Sequence, residues 1–173
     1  WHWQELRNSG KPLIMVGTAT CGRAAGALKV LHTIRDEIKK RNLGCAVIEV
    51  GCMGHCYAEP IVLISKPGYP PICYGYVNPV IAERLVREFV LADNPCLEFV
   101  LGAFEENDLV PSFSDFPRAK YEKKVLLKNC GQIDPANIEH YIANGGYSAL
   151  VKALQMSPGE VIDVVKKSRL RGR

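Results

Sequence analysis

"CGRAAGALKVLHTIRDEIKKRN", residues 21–42, is the stretch on which the fold turns. Within it Ala24, Ala27, Leu28, Leu31, Ile34 and Ile38 recur at steps of three and four, the period of a helix with one apolar face. Lys39, Lys40 and Arg41 crowd the last turn, where cations suit the negative end of the helix dipole, and Gly44 follows. Upstream, PLIMVGT at 12–18 reads as a short buried strand, with Thr20 just ahead of the helix. Downstream, CAVIEVG at 45–51 reads as a second strand.

The pattern continues. After a glycine-rich loop, IVLIS at 61–65 is a third strand, KPGYPP at 66–71 a turn built on Pro and Gly, and ICYGYV at 72–77 a fourth strand expected to pair with the third as a hairpin. Asn78 is placed to cap the next helix with Pro79 at its first position. That helix carries an apolar face in Val80, Ile81, Leu85, Val86 and Phe89. The order β-α-β-loop-β-β-α is the thioredoxin-like arrangement, an α/β fold, and is expected to form one domain over residues 1–94.

Beyond Pro95 the period fades. Residues 95–122 read as a linker that wraps a neighbouring surface, anchored by Phe99, Phe104, Phe113, Phe116 and Tyr121, since a free linker would be poor in aromatics. KKVLLKNCG at 123–131 reads as a strand, and short helices follow around the Gly145–Gly146 break. Ser157 and Glu160 form a Ser-x-x-Glu capping box ahead of VIDVVKKSRL. Residues 123–173, mostly helical with a single strand, have a thin core and read as the beginning of a second domain.

Composition bounds the function classes. Apolar residues make up 47% and charged residues 23% of the 173, as in a soluble globular protein. No apolar run reaches the length of a membrane helix, and the polar start WHWQELRNSGK has no signal-peptide core. That start also lacks methionine, so the chain is expected to begin inside a longer one. The net charge of +4 is uneven: residues 1–117 hold 11 Lys+Arg against 13 Asp+Glu, and residues 118–173 hold 11 against 5. A basic second part suits an anionic ligand such as a phosphate, or is a plain solvated surface. No aromatics interleave with the basic residues and no reading-helix motif is present, so nucleic acid is not an expected partner.

Seven cysteines without an export signal point to reduced thiols in the cytoplasm. Cys21 opens a helix, but position 24 is alanine, so the Cys-x-x-Cys redox pair of thioredoxins is missing. Cys52 and Cys56 lie in GCMGHC, whose glycines let a loop fold back and aim several side chains at one point. Thiols at that spacing are open to a disulfide, half of a metal site or ordinary packing. In a thioredoxin-like fold the ends of the first two strands are neighbours, so Cys21, Cys52 and Cys56 are expected to converge. Such a thiol set selects zinc, Cu(I) or an iron–sulfur cluster. Glu59, His32 and His140 are expected to face water, and His55 to lie at the surface or beside the thiols. Cys45 and Cys73 fall in expected strands and are poor ligands.

CGRAAGA followed by VGCMGHCYAEP resembles the thioredoxin-like 2Fe–2S ferredoxins. More closely, it resembles the version fused to the N-terminus of the NADH-binding flavoprotein subunit of complex I-like enzymes and electron-bifurcating hydrogenases. KNCGQIDP, ANGGYSALVKAL and LRGR resemble the segment that leads into that subunit's flavin site. The resemblance implies an electron-transfer subunit of an NADH:acceptor oxidoreductase. Cys21, Cys52 and Cys56 would be three of four ligands to a 2Fe–2S cluster, with Val16 at the expected fourth position. Arg171, Gly172 and Arg173 would approach the phosphate of FMN, with Arg169 nearby, and NAD would bind elsewhere in the complete protein. It implies partner subunits of a multi-subunit redox complex, in the cytoplasm or at the inner face of a membrane. It places no catalytic residue in this stretch, which is expected to be inactive alone. Two other readings stay open: a cluster-free docking module for subunit assembly, and a zinc-binding structural domain.

Overall fold

Three apolar residues in a row, Ile14, Met15 and Val16, are each 1% exposed or less, because their strand is covered on both faces. This is β1 (Leu13–Gly17), an interior strand of a sheet in a computed structural model that describes residues 8–116 and 121–172. β1 pairs in parallel with β2 (Ala46–Val50) and antiparallel with β3 (Val62–Ser65). β3 pairs antiparallel with β4 (Ile72–Tyr74), as the expected hairpin. A fifth strand, β5 (Val100–Ala103), adds antiparallel to β4, giving the order β2-β1-β3-β4-β5. The first four strands and their helices have the thioredoxin-like arrangement.

The predicted crossover helix is two helices, α1 (Thr20–Ala25) and α2 (Ala27–Lys40). Gly26 separates them with φ +100°, a left-handed angle that glycine adopts without strain. The break rotates the apolar face. Ala27, Val30, Leu31 and Ile34 are buried, while Ala24 and Leu28 lie outside it. α3 (Pro79–Arg84) starts as expected, the Asn78 side chain accepting from the Ile81 amide at 3.0 Å. It then widens into a π-helical turn, Leu85–Val90. Lys66 closes that end: its ammonium donates to the carbonyls of Phe89 (2.7 Å) and Val90 (2.9 Å) and pairs with Asp93.

Alternation along the sheet builds two cores. Ile14, Val16, Val62, Ile64, Ile72 and Tyr74 pack against α2, α3 and the π-helical turn. Leu13, Met15, Ile48, Leu63 and Cys73 face the opposite side, which is covered by Met53, Phe113 and Ile133 with Phe116 and Ala143 at the margin. The aromatics at 113 and 116 are therefore anchored, as expected. The stretch read as a linker contributes β5 and the lid over the second face. Gly102 permits this, since a Cβ there would meet the Phe113 ring at 3.1 Å.

The strand expected at 123–131 is a series of turns, with Val125, Leu126 and Leu127 exposed. An apolar run becomes a strand only beside an available edge. α4 (Ile138–Ala143), α5 (Ser148–Ala153) and α6 (Pro158–Ser168) follow. The capping box of α6 is present in full, Ser157 and Glu160 each bonding the other's backbone amide. Residues 117–120, within the predicted linker, lie outside the described residues.

Candidate functional site

Three connections meet at one end of the central strands. Gly17 closes β1, its amide donating to the Ile61 carbonyl at 3.0 Å, and Thr18 donates to Val50 at 3.1 Å. The first bond ties the end of β1 to the chain entering β3, and the second ties the approach to α1 to the end of β2. Cys21 is the second residue of α1 and is exposed. Arg23 braces the turn, its Nε donating to the Thr18 carbonyl at 2.8 Å.

The loop after β2 carries the other thiols. Met53 plugs into the second core, and Gly54 turns the chain at φ +92°. The Gly54 amide thereby donates to Cys52 Sγ at 3.3 Å. A 3-10 turn at Cys56–Ala58 returns the chain and brings Cys56 Sγ to 3.5 Å from Cys52 Sγ. Cys56 is exposed and Cys52 half-buried. Burial pushes the Cys52 thiol above its ordinary range, against the pull of the Gly54 amide. His55 stacks on Phe113, centroids 4.6 Å apart, and Tyr57 Oη lies 3.4 Å from its Nδ1. The histidine is thus held against the lid.

Glu59, expected to face water, is 8% exposed. Its Oε2 accepts from the Ile61 amide at 2.9 Å, while the buried Oε1 finds no hydrogen-bond partner among the described residues. The carboxyl lies in a niche opened by two glycines: a Cβ at Gly17 would lie 3.4 Å from it, and one at Gly22 3.1 Å. Burial raises its pKa, partly offset by the Ile61 amide. Sequence spacing carried no signal for this group, because its burial is made by Gly17 and Gly22, some 40 residues earlier in the chain. His140, also expected at the surface, is 1% exposed and accepts at Nδ1 from the Asp134 amide.

Glu59 makes a measurable prediction. Its folded pKa lies above the ordinary value of 4.5, so between the two values the folded chain binds more protons than the unfolded one. Stability therefore falls as pH rises from the unfolded value through the folded one. Glu59→Gln keeps an acceptor for Ile61 and removes the charge. It should stabilise the chain at neutral pH, a gain that fades toward about pH 4. Thermal unfolding of both proteins across that range checks it; a constant difference contradicts it.

The structure brings Cys52 and Cys56 together. It does not gather Cys21 with them: among the described residues no group of three or more His, Cys, Asp or Glu is placed to hold a metal ion. Val16 is fully buried in β1 among the helix-side core residues. Cys73 and Cys96 are buried, the latter against Glu88. A 2Fe–2S cluster takes four protein ligands, two on each iron. The donor set here is one pair of thiols, enough for one iron, and does not fit a complete cluster. Arg171 and Gly172 are exposed beyond α6, and Arg173 lies outside the described residues. Gly54 and Leu170 line one cleft with residues 122–127, so the chain's last stretch passes near the thiol loop.

No protein-family model matches the chain. It is 40% identical over 93 residues to the NADP-reducing hydrogenase subunit HndB of Solidesulfovibrio fructosivorans, covering 53% of this chain and 74% of that protein. It is 52% identical over 54 residues to HndC of the same hydrogenase, covering 31% of this chain. It is 47% identical over 64 residues to an NADH-quinone oxidoreductase subunit of Aquifex aeolicus, covering 36% of this chain. The chain spans only 11% of HndC and 15% of the Aquifex oxidoreductase protein. Among solved structures it is similar to a thioredoxin-like 2Fe–2S ferredoxin from Aquifex aeolicus, at 19% identity and a TM-score of 0.48, over 53% of this chain and 97% of that one. With 40% identity over an aligned stretch that covers 74% of that hydrogenase subunit, the chain belongs to the HndB family.

Proposed function

We propose that the chain is the N-terminal part of a flavoprotein subunit that carries electrons between a nicotinamide nucleotide and the iron–sulfur centres of partner subunits. The identity to HndB is the observation that carries this reading. The shorter matches to HndC and to the Aquifex protein support it, since their names join a hydrogenase and an NADH-quinone oxidoreductase. In this reading residues 1–94 and the β5 stretch are a ferredoxin-like domain, and residues 123–173 begin the FMN- and NADH-binding domain. The exposed side chains of Leu126, Leu154, Val164 and Val165 support that assignment, because apolar surface of this extent is normally covered.

FMN, when bound by the complete protein, exchanges a hydride with the nicotinamide and single electrons with other centres. This chain's own part is placement. Arg171 and Gly172 would meet the flavin phosphate with a guanidinium and an open backbone amide. Arg173 is proposed for the same contact. The thioredoxin-like domain docks against partner subunits. Among the described residues no helix is long and apolar enough to cross a membrane. The reading places the complex in the cytoplasm or at the inner face of a membrane.

A second reading is favoured by one observation. Only two thiols are gathered and Val16 fills the core, which suits a docking module that no longer holds a cluster of its own. Iron and sulfide analysis of the domain separates the two.

The test uses the full-length protein and the 173-residue chain side by side. The full-length protein should contain flavin and reduce a viologen or ferricyanide with NADH or NADPH; the shorter chain should do neither. A flavin-free full-length protein without nucleotide-dependent dye reduction ends the reading.

A further inference from the structure

We infer that Cys52 and Cys56 form a reversible intramolecular disulfide, making the loop after β2 a two-electron redox site in this chain. The geometry carries it. The two sulfurs lie 3.5 Å apart, and a covalent bond needs them to close by about 1.5 Å. The loop between them is built for small movement: it holds Gly54 and runs outside regular structure until the 3-10 turn at Cys56. Cys56 is exposed, so a small disulfide reaches it from solvent, and Cys52 sits behind it as the second thiol. The Gly54 amide points at Cys52 Sγ from 3.3 Å and holds that sulfur in place behind Cys56. No third ligating group stands beside the pair to hold it reduced around a metal, among the described residues.

The reaction balances with a small disulfide, such as oxidised glutathione, as oxidant. The Cys56 thiolate attacks one sulfur of that disulfide, forming a mixed disulfide and expelling one small thiolate. The Cys52 thiolate then attacks Cys56 Sγ and expels the other. Two protein thiols lose two electrons and two protons, and the small disulfide becomes two thiols. The reverse uses the same steps with excess small thiol. Oxidised, the pair has no free thiolate for a metal, so disulfide and metal binding exclude each other at this loop.

The experiment is an anaerobic redox titration of the full-length protein in mixtures of reduced and oxidised glutathione. Samples are quenched with an alkylating agent, and mass and peptide mapping follow. The expected result is a Cys52–Cys56 disulfide whose fraction follows a single two-electron curve. Cys52→Ser and Cys56→Ser should each abolish it, the former trapping glutathione on Cys56. Cys21→Ser should leave the curve unchanged. Far-UV circular dichroism confirms that the variants are folded. Both residues remaining alkylatable at every ratio would overturn the inference. So would a disulfide to a different cysteine. The same holds if anaerobic treatment with iron and sulfide gives a stable cluster that shields both thiols through the whole titration.

Discussion

Phe89→Ala is expected to cost about 4 kcal/mol of stability, the cost typical of truncating a buried aromatic side chain. Phe89 is fully buried in the π-helical turn and belongs to the helix-side core. Its ring meets Tyr69 edge-on at 5.1 Å and Tyr74 at 6.2 Å, and the Lys66 ammonium lies 5.5 Å from its centre. Truncation leaves a cavity that the surroundings fill poorly. The sheet bounds it on one side, and the backbone of residues 89 and 90 is pinned by Lys66. Denaturant unfolding should show a lower midpoint with an unchanged slope. Phe89→Leu, which refills most of the volume, should recover more than half of the loss. A cost below about 1 kcal/mol for the alanine variant would mean that this helix does not close the core.

Gly22→Ala is expected to destabilise by about 3 kcal/mol and to displace the turn that carries Cys21. Two effects of opposite sign compete. Alanine in place of glycine favours a helix by about 1 kcal/mol. At Gly22, however, the added methyl would drive into the Gly17 carbonyl oxygen and press on the Glu59 carboxylate. The carbonyl belongs to the end of β1, which is bonded to both β2 and β3, so it cannot yield cheaply. The clash therefore decides the sign. Gly159 supplies the control: it lies in α6, is exposed, and an added Cβ there meets nothing within 4 Å. Gly159→Ala should be neutral or slightly stabilising. Equal effects at the two positions would show that helix propensity, not the close approach beneath α1, governs Gly22.

Much of the first 94 residues was legible because local signals and tertiary demands agree there. The period of residues 27–38, the buried runs at 13–17 and 62–65, and the Asn78–Pro79 start each name one element without help from the rest. The errors fall where two local readings compete. Residues 21–42 keep a helical period on both sides of Gly26, so the break was hidden and the apolar face was drawn too far toward Ala24. Residues 100–103 carry a glycine and sit among prolines and charges, yet form a strand because β4 offers an open edge. Residues 125–127 are more apolar and form none.

The site divides in the same way. The pairing of Cys52 with Cys56 follows from glycine positions and a four-residue spacing, which are local properties. By itself the sequence determined the thioredoxin-like order of elements, the helix caps and the thiol loop, since each depends on residues within a few positions of one another. The tertiary structure alone decided that Val16 points into the core and that Glu59 is buried beneath two glycines. Those outcomes depend on which surfaces meet across the sheet. Contacts between residues tens of positions apart leave no period in the chain from which they could be read.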